Sequence, residues 1–293
     1  MAMKLAQHSR LTQMRPPRAF TLVELLVVIV ILTILGSLSL AGLNVGRQRA
    51  KVDATASTIR KLNETVMEQY ESYPSRIIAS GTSGLNQLRR IMVEEMPDTW
   101  SDVFTVASGS CKTAPGRAYA RYKQLTLSNA AKLSDNASAE CLYMIVTRSG
   151  YDPSALDQFR PLEVGDTDGD GLREFLDAWG NPILFIRWAP GFSTLSPVQE
   201  PDSTKNHDPL DSSFADPNGY ALYPLIVSRG ADGLIGLNDI VAGGWSQYFA
   251  TPALASVINL VTNAPIAPSP GSIDLANPTA YRDNITNHAL MAR

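Results

Sequence analysis

The run RPPRAFTLVELLVVIVILTILG, residues 15 to 36, constrains this 293-residue chain more than any other feature. It sets a single carboxylate, Glu24, five residues into a segment otherwise dominated by Leu, Val and Ile. From Leu25 to Leu43 only Thr33, Ser37, Ser39 and small residues interrupt the apolar character. Such a run is close to the ~20 residues that span a bilayer. An unpaired carboxylate there costs roughly 2.5 to 3.5 kcal/mol on insertion scales. A chain that keeps Glu24 at this depth needs something to neutralise it.

The flanks narrow the choice. The leader before Phe20 carries Lys4, Arg10, Arg15 and Arg18 and no acidic residue, which favours a cytoplasmic N-terminus. A second basic group, Arg47, Arg49 and Lys51, follows the apolar run and weakens that orientation signal. A secretory signal places its apolar core before a small-residue cleavage site. Here the small residue, Ala19, comes first, so a cut between Ala19 and Phe20 leaves the hydrophobic helix on the mature protein. The plainer alternative is a signal anchor with an incidental glutamate.

Phe20-Thr21-Leu22-Val23-Glu24-Leu25-Leu26 resembles the prepilin motif in full on its mature side. The resemblance implies cleavage by a prepilin peptidase before Phe20 and N-methylation of the freed amine. It also implies assembly in which that amine meets Glu24 of a neighbouring subunit. A paired buried charge is far less costly than an unpaired one, so the resemblance answers what neutralises Glu24. Two departures stand out. Ala19 occupies the place usually held by glycine, and Ala41-Gly42 stand where the family's membrane helix commonly has a proline.

Beyond the apolar run the helix is expected to continue. Val45, Val52, Ile59, Leu62, Val66, Tyr70 and Tyr73 recur at helical spacing, as one stripe does, and Pro74 ends the pattern. The expected organisation is a leader at 1–19, a transmembrane or filament-core helix at 20–46, and an amphipathic continuation at 47–75. A mainly helical insertion at 76–165 follows, including 84–96 and 128–146. The head at 166–244 carries strands at 182–188 and 221–228 around a long loop at 189–219, and 245–293 reads as an irregular tail. The resulting fold class is α+β and type IV pilin-like: a long N-terminal helix packed on a small antiparallel sheet.

Two acidic stretches bear on metal chemistry. DTDGDGLREFLD, residues 166 to 177, has the spacing of an EF-hand-type calcium loop. Asp166, Asp168 and Asp170 take positions one, three and five, and Gly171 the sharp turn. Leu172 offers a carbonyl, and Glu174 and Asp177 fall at nine and twelve. The other reading is an Asp/Gly turn held by local Asx-type bonds. LDAWGNPILFI and LIVSRGADGLIGLNDI resemble segments of the type II secretion major pseudopilin. That likeness implies Asp232 and Asp239 as calcium ligands, with Ser228 a weaker one, although the spacer between them is short. The bland alternative is a hairpin loop shaped by Gly230, Gly233 and Gly236.

Composition excludes little but useful ground. With a net charge of −3, nucleic acid is not an expected partner. His207 and His288 are the histidines beyond the leader, and no nucleophile elbow, Walker loop or zinc-protease motif occurs; no enzyme is expected. Cys111 and Cys141 either pair beyond the membrane, closing a loop worth roughly 3 to 4 kcal/mol in the chain-entropy model, or remain thiols. The expectation is a structural pseudopilin subunit, single-pass in a bacterial inner membrane with a periplasmic head. Its partners would be prepilin peptidase, other pseudopilins and the inner-membrane secretion platform. A type IV or competence-type minor pilin, serving adhesion or DNA uptake, is the alternative.

Overall fold

A computed structural model describes residues 20–76, 81–103, 112–133, 135–217, 219–238 and 270–292. Contacts divide the chain into two units, Met1–Arg49 and Ala50–Arg293. The break falls three residues beyond the expected limit of the apolar helix. The described residues between 76 and 165 fall in the same unit as the strands and share its core.

Helix α1 runs over Leu22–Ser72 and passes into a 3-10 turn at Tyr73–Ser75, where Pro74 removes a backbone donor. Up to Val45 its large apolar side chains are exposed. From Ile59 onward one stripe sinks into the core: Ile59, Leu62, Val66, Tyr70 and Tyr73 are all nearly or fully buried. Arg60, Glu64, Glu68 and Glu71 stay in solvent on the other side. Val45 and Val52, expected on the same stripe, are exposed, so burial of the stripe begins at Ile59, about four helical turns later than the spacing suggests.

Three further helices complete the α layer. Helix α2 spans Gly81–Glu95 and supplies Leu85, Leu88 and Met92 to the same cluster as the α1 stripe. Helix α3, Ala114–Thr126, is not anticipated from the sequence, because Pro115-Gly116 look like a turn. Pro is well placed in a first helical turn, where its missing N–H has no partner to lose. The Thr113 hydroxyl accepts from Gly116 N at 3.2 Å, an N-cap. Helix α4, Ala137–Arg148, is shorter than the expected 128–146 helix and is buried continuously from Ser138 to Val146. A helix apolar on all sides belongs inside, and α4 divides two clusters. Leu142, Tyr143 and Ile145 join α1 and α2, while Cys141 and Met144 join Trp100, Tyr119 and Leu172.

The strands are short and antiparallel. β1 (Val164–Gly165) pairs with β2 (Glu174–Phe175), bracketing the acidic loop. β3 (Leu184–Ile186) pairs with β4 (Leu225–Ser228), placing Phe185 opposite Ile226. The third strand comes from the supposedly irregular tail: β5 (Ile285–Thr286) pairs with β4, so β4 is central. A short helix, α5 (Asn287–Met291), follows. The stretch 189–219 is a long connection as expected, yet it carries a 3-10 turn at Pro190–Thr194 and buries Phe192, Gln199, Leu210 and Asp211.

Buried charges pin this unit together. Arg187 on the strand side is fully buried, donating to Asp102 Oδ2 at 3.1 and 3.2 Å and to the Met96 carbonyl at 2.7 Å. The Asp98 carboxylate accepts from Arg187 N at 3.0 Å. Removing one member of such a pair leaves an uncompensated charge and is strongly destabilising. His288 in α5 is fully buried; its Nε2 donates to the Pro224 carbonyl at 3.2 Å and its Nδ1 accepts from Ser196 Oγ at 2.8 Å. Burial pushes its pKa down to about 4, against the two carbonyls of Pro224 and Tyr223 that oppose the shift.

Candidate functional sites

The first site is the start of α1. Ala19 lies outside the described residues, and Phe20 is exposed. Thr21 and Glu24 form a reciprocal cap: Glu24 N donates to Thr21 Oγ1 at 3.2 Å. Thr21 N and Oγ1 donate back to Glu24 Oε2 at 2.9 and 3.0 Å. This is a capping box, which satisfies two otherwise orphaned helix donors. Both bonds from Thr21 fall on Oε2. Glu24 thus has a local role in opening the helix. Behind it, α1 is the one helix among the described residues long and apolar enough to cross a membrane.

The second site is the acidic loop between β1 and β2. Its backbone is turned by its own carboxylates. Asp166 Oδ1 accepts from Gly169 N at 2.6 Å and Oδ2 from Gly171 N at 3.0 Å. Asp168 Oδ1 accepts from Asp170 N at 3.1 Å, and Asp170 Oδ1 from Leu172 N at 2.7 Å. Gly171 sits at φ +97°, and a Cβ there would lie 2.5 Å from the Thr126 carbonyl oxygen. No side chain fits that approach. The Asp170 carbonyl accepts from Ser128 N and Oγ, each at 2.6 Å, which docks the loop on the end of α3. Leu172 is anchored through its side chain in the cluster around Trp100 and Tyr119.

The carboxylates gather in two overlapping trios. Oxygens of Asp166, Asp168 and Asp170 lie within 4.8 Å of one another, and so do those of Glu140, Asp168 and Glu174. Asp168 belongs to both. Glu140 comes from the first turn of α4 and is the member that the loop spacing does not reveal. It is fully buried; its Oε2 accepts from the Trp100 indole, while Oε1 has no hydrogen-bond partner. Asp170, also fully buried, leaves Oδ2 unpartnered. Burial raises the pKa of Glu140 to about 8 against the Trp100 bond, and the charges of Asp170, Asp168 and Glu174 push the same way. Burial likewise raises Glu174 to about 7, opposed by its bond from Thr167 N and reinforced by Asp168 and Asp166.

Asp177 does not join them. After Glu174 the chain is extended in β2 rather than helical, and at about 3.3 Å per residue it carries position twelve away from the loop. Asp177 instead closes the turn into β3, accepting from Trp179 N and Asn181 N at 2.9 Å each. Its Oδ2 accepts from Ser228 Oγ at 2.7 Å. Ser228 is thereby committed to joining β4 to that turn.

The third stretch, after β4, behaves as a turn over the residues described. Asp232 is exposed, and its Oδ1 accepts from Leu234 N at 2.8 Å. The amides of Ala231 and Asp232 donate to Asp283 Oδ2 at 2.7 and 3.1 Å. Gly230, at φ +66°, lets Asp283 approach to where a Cβ would meet it at 2.6 Å. Among the described residues no trio of metal-ligating side chains forms around Asp232; Asp239 lies outside them. Cys141 is a buried free thiol, and its expected partner Cys111 lies outside the described residues.

A long helix that is apolar and exposed at its start, and that lays its later stripe into a head with small antiparallel sheets, is the build of a pilin-like α+β protein. The family model for the prokaryotic N-terminal methylation motif matches residues 14–40, the span holding Ala19, Phe20 and Glu24. The chain is a prepilin-type protein, which implies processing by a prepilin peptidase and association with a membrane. No curated protein and no solved structure matches the chain.

Proposed function

We propose that the chain is a structural pseudopilin subunit. Prepilin peptidase cuts it between Ala19 and Phe20. The mature protein sits in the bacterial inner membrane by α1 with its head in the periplasm, and polymerises with other pseudopilins into a pseudopilus on the type II secretion platform. The observation that carries this reading is the unpartnered apolar surface from Leu22 to Val45 with one carboxylate at its opening. Side chains exposed on every side of a helix suit lipid before assembly and neighbouring helices after it. Gly36, Gly42 and Gly46, with nothing within 4 Å of a Cβ, leave room for close helix approach.

The proposed chemistry is a charge match. Cleavage at Phe20 frees an α-amine, and that cation meets Glu24 of an adjacent subunit while Thr21 holds Oε2 in place. Pairing makes the carboxylate tolerable at that depth and fixes the axial register between subunits. Glu24→Ala is expected to leave membrane insertion intact and to abolish incorporation into filaments, read by shearing and sedimentation of assembled pseudopili. Wild-type levels of filament from that variant would remove the mechanism.

A further inference from the structure

We propose that Asp166, Asp168, Asp170 and Glu174, joined by Glu140 from α4, form a calcium site that ties the first turn of α4 to the acidic loop. The inference is independent of the filament reading. The loop alone would be an ordinary Asp/Gly turn, since Asp166, Asp168 and Asp170 each accept backbone amides. What an ordinary turn does not explain is the pair of fully buried carboxylate oxygens, Glu140 Oε1 and Asp170 Oδ2, that receive no donor from any other described residue. The two carboxyls lie within hydrogen-bonding reach of each other, so without a cation only a shared proton can hold them together. A buried unsatisfied polar group is costly, and a buried charge more so, unless it is paired or coordinates a metal.

No protein cation forms an ion pair with these oxygens, although the charge of Lys123 reaches Glu140. Among the described residues none of the five carboxylates takes part in an ion pair. The Lys132 ammonium donates to the Asp168 backbone carbonyl, and Lys123 lies over the Trp100 ring at 4.9 Å. The surroundings fix the ligands in advance. Asn136 Nδ2 holds Asp168 Oδ2 and Glu174 Oε1 at 3.3 and 3.4 Å, and the Trp100 indole orients Glu140.

The donor set is oxygen only, without imidazole or thiolate, which selects a hard cation. Calcium takes six to eight oxygens in a flexible shell, whereas magnesium demands a near-ideal octahedron. Five carboxylates reached from two separate elements match the first requirement better than the second. Glu140 supplies from α4 the outlying ligand that Asp177 would supply in a helix-flanked loop.

The test uses the full-length protein in detergent, stripped with chelator and titrated calorimetrically with calcium chloride and, separately, magnesium chloride. Wild type is expected to bind one calcium ion per chain, with magnesium weaker by about tenfold or more. Glu140→Gln is expected to weaken calcium binding by about tenfold or more, and Asp166→Asn, on the exposed side of the loop, to weaken it also. In chelator Glu140→Gln should melt no lower than wild type, because the amide keeps an acceptor for Trp100 while removing the unpaired acid. Absence of calcium heat in the wild type, or equal binding of magnesium, would overturn the site as calcium. Unchanged affinity in Glu140→Gln would overturn its part as a ligand, as would a lower melting temperature of that variant in chelator.

Discussion

Between Leu22 and Val45, α1 carries apolar side chains all round and exposes them; between Ile59 and Tyr73 it buries one stripe and keeps charges on the other. The backbone is one helix throughout, so the difference lies in side-chain period. Where apolar residues repeat at three and four, a single face is dry, and the chain itself supplies α2, α4 and β4 to cover it. Where they do not repeat, no single partner surface suffices, and the helix depends on surroundings that are apolar on every side. The first pattern gives a folding element and the second an anchor that can exchange lipid for neighbouring helices.

That contrast breaks most readily through core substitutions. Leu62→Ala, in the fully buried stripe, is expected to destabilise the head by about 2 to 5 kcal/mol. Leu32→Ala, in the exposed stretch, should change head stability by under about 0.5 kcal/mol. Urea unfolding of the detergent-solubilised chain, followed by head tryptophan fluorescence, compares them; equal losses would erase the division. Acid sharpens the same contrast. His288 is held neutral with its pKa lowered to about 4, while the unfolded chain takes up a proton near pH 6.5. The unfolded state therefore binds more protons between those values, and stability falls as pH drops from 6.5 to 4, by roughly 3 kcal/mol at most. His288→Asn is expected to lose much less than wild type over that window. Membrane association through Leu22–Val45 should not change with it.

Local pattern and distant pairing account for what the sequence reveals and what it hides. The stripe from Ile59 to Tyr73, the stop at Pro74 and the self-capped Asp166–Leu172 loop are all set by residues a few positions apart, and each is legible in the order of its residues. Helix α3 is concealed by Pro115, which reads as a breaker unless Thr113 is recognised as its cap. Strand β5 is two residues long and gains its place only by pairing with β4, which no local pattern encodes. Glu140 is a different case. It lies 28 residues before Asp168, beyond any loop motif, yet it stands alone among the apolar residues of ASAECLYMIV. That is the same signal that singles out Glu24: one carboxylate in an apolar helix needs a partner from elsewhere. Asp177 errs in the opposite sense, since the motif's last position assumes a following helix and the chain makes a strand.

The charge match between a freed Phe20 amine and Glu24 is tested most directly by intact-mass and N-terminal peptide mass spectrometry of the protein purified from its native membrane. The predicted result is a chain that begins at Phe20 with a methylated α-amine. A chain that still begins at Met1, with Lys4, Arg10, Arg15 and Arg18 attached, would contradict it.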